Sequence, residues 1–385
     1  MGFTEGDDPH IADSRPGWQE SRLRQARPRS RGDDWIGQED RYRIGLFVPM
    51  SGAAGLWGAS CVASAQLAAH EINARGGIAA REVEFVLVDA SDETGLAVEH
   101  GANDLIEDNA ISAIVGMHLS SVRQRLNKIV GARVPYVYTP LYEGNERTPG
   151  VFAIGETPED QLRPAIRHLS ATRKVRRWAL IGNDYVWPRA SNAFARDYID
   201  ENDGEVVFEC YVPFGFPEIE RLVEHVATCG ADAVLISLIG QDAVEFNRLF
   251  GAAGLDRRAI RLSAAIEESG LLAMGAENTK RLFAVSSYFG GLRTDRNIAF
   301  KERYFACHGE YAPVLNALGQ SLYEGVNFLA AAVAQAGPGM ALAPNQPLEY
   351  VSARQGRYWD NQKKALPIYL ARADGHLFAT PERIF

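Results

Sequence analysis

Arg177-Trp178-Ala179-Leu180-Ile181 runs straight into Gly182-Asn183-Asp184-Tyr185-Val186-Trp187-Pro188-Arg189-Ala190-Ser191-Asn192. A short apolar run that stops in a Gly-Asn-Asp turn bearing two aromatic rings reads as a strand delivering a binding loop. Tyr136-Val137-Tyr138-Thr139-Pro140-Leu141-Tyr142-Glu143-Gly144 repeats the layout, again ending in hydroxyl-bearing and aromatic side chains. Ligands of open α/β sheets sit beyond the carboxyl ends of parallel strands, so both loops belong at a cleft.

Working outward, short β-branched runs alternate with longer helical patterns, the signature of repeated βαβ units. One series of strands is expected at 42–48, 82–88, 113–115, 136–138 and 151–154, a second at 178–181, 205–211, 233–237, 261–263 and 282–286. Helices are expected at 58–73, 96–107, 121–130, 158–170, 190–201, 216–229, 242–253 and 316–335. Asp374-Gly375 is a turn signal, predicting a hairpin between 368–371 and 376–379.

A chain of 385 residues, 46% hydrophobic and 23% charged, can fill two globular cores. Its formal charge of −9 argues against a nucleic-acid surface, which needs clustered Lys and Arg. Cys61, Cys210, Cys229 and Cys307 are scattered without metal-ligand spacing, so they read as reduced structural residues with no metal and no cofactor. Residues 1 to 42 are poor in apolar side chains and are expected to form a disordered tail. They contain no basic tip followed by an apolar stretch, which points to a cytoplasmic protein, or to a periplasmic or cell-envelope one if the true start lies upstream. With no run of about eighteen apolar residues, membrane insertion is not expected.

Four ordered landmarks accompany the two loops: Arg43-Ile44-Gly45-Leu46-Phe47, Ala69-His70-Glu71-Ile72-Asn73-Ala74-Arg75-Gly76-Gly77-Ile78, Ala113-Ile114-Val115-Gly116-Met117-His118-Leu119-Ser120-Ser121, and Ser287-Tyr288-Phe289. Taken together from about Arg43 to the C-terminus, the pattern resembles the type I periplasmic-binding-protein class. The resemblance is greatest to the amide-binding regulators of aliphatic amidase operons and to urea and short-chain amide substrate-binding proteins. It implies an α/β fold of two doubly wound parallel-sheet lobes joined by a three-strand hinge. Lobe 1 would comprise 43–156 and 290–340, lobe 2 157–289 and 341–385, with crossings near 155–158, 287–292 and 337–347. The class also implies pairing of two copies through lobe 1.

In such a clamshell the binding groups come from strand ends of both halves. From lobe 1 these are His118, Ser120, Tyr138 and Thr139. Ser120 opens a helix, so its hydroxyl and the free backbone N–H groups beside it suit a carbonyl or carboxylate oxygen, although the same serine can serve only as a cap. Tyr138 offers a ring face to a planar ligand, while Tyr142 and Glu143 fix the loop. From lobe 2 come Tyr185, Trp187, Gln241, Ser263 and Tyr288; Asp184 more often ties down its own turn. His118 stands where the resembled proteins carry an aromatic residue, which allows pH-sensitive binding. Glu267 and Glu268 stand near enough to the Ser263 strand end to hold a ligand ammonium, but read equally as a solvated pair, as does Glu107-Asp108.

No Gly-x-Ser-x-Gly, His-Glu-x-x-His or phosphate-loop pattern occurs, so the chain is expected not to be an enzyme. The resemblance implies a sensor that closes on a short-chain amide or related small polar molecule and controls a partner transcription regulator. The alternative is the substrate-binding component of an ABC importer for amides, urea or branched-chain amino acids, with a permease as partner.

Overall fold

The computed structural model of the chain describes residues 23–25, 41–91, 95–337, 340, 347–359 and 364–385. Two sheets organise it. The first contains β1 (Leu23–Gln25), β2 (Arg41–Val48), β3 (Glu82–Asp89), β4 (Ala113–Gly116), β5 (Tyr136–Tyr138) and β6 (Val151–Ala153). They pair in the order β1-β3-β2-β4-β5-β6, every pair parallel. Around it lie α1 (Gly58–Ala74), α2 (Ala97–Glu107) and α3 (Ser120–Val130).

After α4 (Pro158–Arg173) the chain builds the second sheet from β7 (Arg177–Asn183), β8 (Glu205–Val212), β9 (Ala233–Ser237), β10 (Ile260–Ser263) and β11 (Leu282–Ser286). These five strands are mutually parallel. They alternate with α5 (Val186–Asp200), α6 (Ile219–Thr228), α7 (Gly240–Ala252) and the short α8 (Glu268–Met274). The chain returns to the first lobe as α9 (Asp295–His308) and α10 (Ala317–Ala336). A small ribbon, β12 (Arg357–Tyr358) with β13 (Lys364–Ala365), precedes β14 (Tyr369–Asp374), β15 (Leu377–Phe378) and β16 (Glu382–Arg383). β14 extends the second sheet antiparallel to β11, and β15 and β16 each pair antiparallel with β14.

Strand positions follow from composition. Ala233–Ser237 and Leu282–Ser286 are buried along their whole length, as continuous apolar runs in a sheet covered on both faces must be. The hairpin expected at Asp374-Gly375 is present, with Asp374 opposite Leu377 and Gly375 at φ 64°. The expectation of a wholly disordered stretch over 1–42 is corrected at two places: Leu23–Gln25 pairs with Phe85 to Leu87, and Arg41 and Tyr42 already belong to β2. The rest of that stretch lies outside the described residues. So do most of residues 337–347, where the third crossing was expected.

Three segments are held together at one buried point, which serves as a hinge between the sheets. Glu156 follows β6, Ser287 follows β11, and Arg354 precedes β12. Glu156 Oε1 accepts from the Ser287 backbone N–H at 2.8 Å and from the Ser287 hydroxyl, and pairs with Arg354 Nη1 at 3.5 Å. Arg354 also donates to Ser287 Oγ at 3.1 Å, to Gln320 Oε1 and to the Ala317 carbonyl. Immediately after the first crossing, Thr157 and Asp160 form a reciprocal capping box with Pro158 at the first helical position, so the crossing ends in a fixed helix start.

Candidate functional site

The carboxyl ends of both sheets face each other. Gly116 ends β4 and hands over to Met117-His118-Leu119, after which Ser120 opens α3. Leu119 provides no side-chain cap, so the backbone N–H groups of the first turn are left to a ligand or solvent. Tyr138 ends β5; its phenol donates to the His118 carbonyl at 2.8 Å and lies 3.4 Å from Ser120 Oγ. This fixes the ring over the helix start. Arg123 covers Tyr138 and Tyr142 at 5.2 Å from each ring centroid and bonds Glu143 and Glu146 at 2.5 Å each. The structural roles expected of Tyr142 and Glu143 are visible in that contact.

On the facing lobe Asn183 ends β7 and is buried. It donates to Asp242 Oδ2 at 2.6 Å and accepts the Ile239 N–H at 2.9 Å, locking the loops after β7 and β9 together. Asp242 also accepts the Gly215 N–H at 3.1 Å. Tyr185 then precedes α5 in extended backbone, with its ring 6.4 Å from Trp187 and 5.2 Å from Phe214.

A cavity of about 360 Å³ lies between these groups, lined by Trp57, His118, Ser120, Tyr138, Tyr185 and Trp187 together with Met117, Leu119, Pro140, Leu141, Ile239, Ala265 and Leu318. Five expected residues therefore meet in one place. Tyr288 lines an adjoining chamber of about 400 Å³. Three do not reach either. Thr139 is buried and shares a 2.9 Å hydrogen bond with Ser321 Oγ. Gln241 is exposed on α7. Ser263 bonds the Ile236 carbonyl at 2.9 Å and accepts from Ala265 and Ile266, so it shapes its own loop. Asp184 pairs with exposed Arg189 at 2.6 Å.

Trp57 was not anticipated. It follows the loop after β2, a position the βαβ pattern could have flagged. Its indole Nε1 donates to Glu267 Oε1 at 2.9 Å, a bond between the lobes. Asn316 Nδ2 reaches Ser269 Oγ at 2.9 Å across the same gap. A methyl carbon built on Gly240, at φ 51°, would stand 1.6 Å from the Ala53 carbonyl oxygen of the other lobe. These contacts describe a closed clamshell.

Two electrostatic expectations change. Glu267 and Glu268 are not solvated: each is under 10% exposed. Glu267 caps α8 by accepting the Ser269 and Gly270 N–H groups. Burial, then the neighbouring Glu267 charge, push the Glu268 carboxyl up to about 8 against the Gly290 N–H and Lys301, which lower it. Glu107 and Asp108 are exposed, as expected.

His118 is no switch near neutral pH. Burial brings its pKa down to about 3; the bond to the Leu119 carbonyl opposes this, and Arg123 and Arg125 add to it. The neutral ring donates from Nδ1 to Leu119 O at 3.1 Å, leaving Nε2 to accept from Tyr136 at 2.9 Å. Because the unfolded side chain takes up its proton near pH 6.5 and the folded one only near 3, His118 contributes its full stability above 6.5 and loses it progressively below. Urea midpoints measured from pH 8 to 4 should therefore fall less steeply on the acid side in His118→Gln than in the parent. Equal slopes would mean that His118 titrates normally.

All four cysteines lie among the described residues and none is in a disulfide. Among the described residues no cluster of side chains suits a metal ion, and no helix is long and apolar enough to cross a membrane.

The periplasmic binding protein family profile matches residues 41–374. The chain belongs to the periplasmic binding protein family. Members bind solutes and are not enzymes, which agrees with the absence of catalytic patterns. The fold of this periplasmic binding protein is also that of an ABC-transporter solute-binding protein from Rhodopseudomonas palustris in complex with p-hydroxybenzoic acid, at TM-score 0.77 and 17% identity over 89% of this chain and 96% of that one. It is similar to the branched-chain amino acid transporter substrate-binding protein of Streptococcus pneumoniae in complex with isoleucine, at TM-score 0.75, 19% identity, and 89% and 99% coverage. A leucine-binding protein from Thermotoga maritima superposes at TM-score 0.72, 18% identity, and 89% and 99% coverage. The ligands in these names are an aromatic acid and aliphatic amino acids, not amides.

Proposed function

We propose that this periplasmic binding protein is the solute-binding component of an ABC importer, closing its lobes on a small organic acid, amide or amino acid with an apolar body. The observation that carries the reading is the cavity itself. Tyr138 and Trp57 from one lobe face Tyr185 and Trp187 from the other, and Ser120 with the uncapped start of α3 supplies donors at one end. Aromatic faces cover the apolar body of a ligand, while helix N–H groups satisfy an acyl or carboxylate oxygen. Delivery to a membrane permease outside the cytoplasm accords with the ABC-transporter components among the similar folds.

Thermal unfolding of the purified chain against 4-hydroxybenzoate, leucine, valine, acetamide, propionamide and urea tests this, because a ligand bound only by the folded state raises the melting temperature. A shift with acids or amino acids supports the importer component. A shift with amides alone favours the sensor of an amide operon, whose clamshell is the same. Tyr185→Ala should weaken the tightest ligand at least tenfold by calorimetry while leaving the unliganded melting temperature unchanged, since its half-buried ring packs at the cleft rather than in a sheet core. Undiminished affinity would place the site elsewhere.

A further inference from the structure

The start of α8 is where the lobes lock together, and it holds two adjacent carboxyl groups. Trp57 Nε1 of the first lobe donates to Glu267 Oε1 at 2.9 Å, and Asn316 Nδ2 of the same lobe donates to Ser269 Oγ at 2.9 Å. Glu268 lies between these two contacts, in the chamber that Pro140, Leu141, Ala317 and Leu318 wall from the first lobe. Closure therefore encloses both side chains: Glu267 is 4% exposed and Glu268 8%. Their surroundings differ. Glu267 accepts three N–H groups, from Trp57, Ser269 and Gly270. Glu268 accepts one, from Gly290 to Oε1 at 2.7 Å, and its Oε2 is buried without a hydrogen-bond partner.

Two like charges on neighbouring residues are not both kept out of water without a counter-ion. Among the described residues neither carboxyl takes part in an ion pair. Lys301 of α9 gives its ammonium to the Gly290 carbonyl at 3.1 Å and only partly offsets the charge on Glu268. The other ionisable groups around the chamber are occupied or neutral. Arg354 and Glu156 pair with each other at the hinge, and Glu324 of α10 accepts from Gln320 and from the Ala353 N–H. Burial keeps the Tyr288 phenol and the Cys61 thiol of α1 protonated. We propose that closing the lobes takes up one proton, carried on Glu268 Oε2, so that acid favours the closed clamshell and alkali loosens it. The inference rests on the cleft being a solute site and adds ambient pH as its regulator.

In the closed form, burial and then the Glu267 charge hold the Glu268 carboxyl up at about 8. With the lobes apart, water returns it to the ordinary glutamate value of about 4.3. A group raised in the closed form favours closure below that value and ceases to do so as pH rises through it. Solute affinity should therefore fall about tenfold per pH unit from about pH 5 to 7 and level off above about 8.

A disulfide between Asn316→Cys and Ser269→Cys holds the full chain closed without any ligand. Gly240→Ala, whose added methyl collides with the Ala53 carbonyl, keeps it open. Carbon-13 NMR of the glutamate carboxyls should show one group titrating near 8 in the crosslinked form, lost when Glu268→Gln is added, with no counterpart in the open form. A crosslinked form in which no glutamate is raised overturns the proposal, as does the same raised midpoint in Gly240→Ala. Calorimetry at pH 7 in phosphate and in Tris, with propionamide and 4-hydroxybenzoate, reads the event without the crosslink, since neither probe brings an ammonium to replace the proton. The parent should take up about one proton per ligand bound and Glu268→Gln none. Binding without proton uptake overturns this proposal and leaves the solute-binding reading intact. The carboxyl titration needs no ligand, so the two readings fail separately.

Discussion

Gly240→Ala should lower ligand affinity at least a hundredfold with little change in the unliganded melting temperature. The reason is local. Gly240 opens α7 at φ 51°, and its α-carbon faces the Ala53 carbonyl so closely that an added methyl would stand 1.6 Å from that oxygen. No rotamer relieves a Cβ clash with backbone, so the lobes must part by more than an ångström. The open state has no such conflict, leaving only the strain of a side chain at positive φ, about 1 kcal/mol. A ligand stabilised by contacts from both lobes then loses those of one. Affinity is set by the closed population, and a substitution that abolishes closure removes it whatever the ligand is. Calorimetry with the best ligand found by thermal shift, together with small-angle scattering, separates the cases. Wild-type affinity in Gly240→Ala would mean that the closed contact between Gly240 and Ala53 is not used in binding.

The second large effect lies in the hinge. Arg354→Met should destabilise the protein by about 3–5 kcal/mol, because removing one member of a buried pair strands the other. Both partners have side chains under 10% exposed, so solvent does not screen the loss. Burial alone would raise the Glu156 carboxyl; the Arg354 charge and the Ser287 hydrogen bonds outweigh it and hold the carboxyl below the usual carboxylate value. Without Arg354 that balance reverses, and the Gln320 and Ala317 oxygens lose their donor too. Pairing the change with Glu156→Gln should recover part of the stability, since a neutral amide needs no counter-charge. Urea midpoints of the two single variants and the double variant measure the coupling. Additive losses would show that Glu156 and Arg354 do not stabilise one another.

Much of the fold was legible because its strands are short, apolar and buried on both faces. Residues 136–138, 233–237 and 282–286 were read with the same bounds the structure shows. α9 was not read, although Thr294 caps it and accepts the Asn297 N–H at 3.3 Å; its mixture of charged and aromatic residues hides the helical period. β1 carries one apolar residue in three and offers no alternation at all. The site was legible where a strand end delivers the side chain, as at Tyr138 and Tyr185. It was misread one position along: strand side chains alternate faces, so with Tyr138 in the cleft Thr139 turns toward Ser321 of α10. Glu267 and Glu268 looked solvated because nothing near them in sequence announces Trp57, which lies 210 residues away and closes over Glu267.

The pinning of three chain segments at Glu156, Ser287 and Arg354 limits the kinds of motion available to the molecule. One covalent link would let two bodies slide, twist and swing; three links fastened together leave chiefly the swing. The mouth of the cleft then moves farthest for a given rotation, as the tip of a lever does, and the groups beside the pivot move least. Met50, 45% exposed, follows the carboxyl end of β2, the end of the strand that faces the cleft. A fluorophore attached there through an introduced cysteine would turn a few degrees of rotation into a displacement large enough to read as a signal, making the protein a ready optical reporter for its own solute.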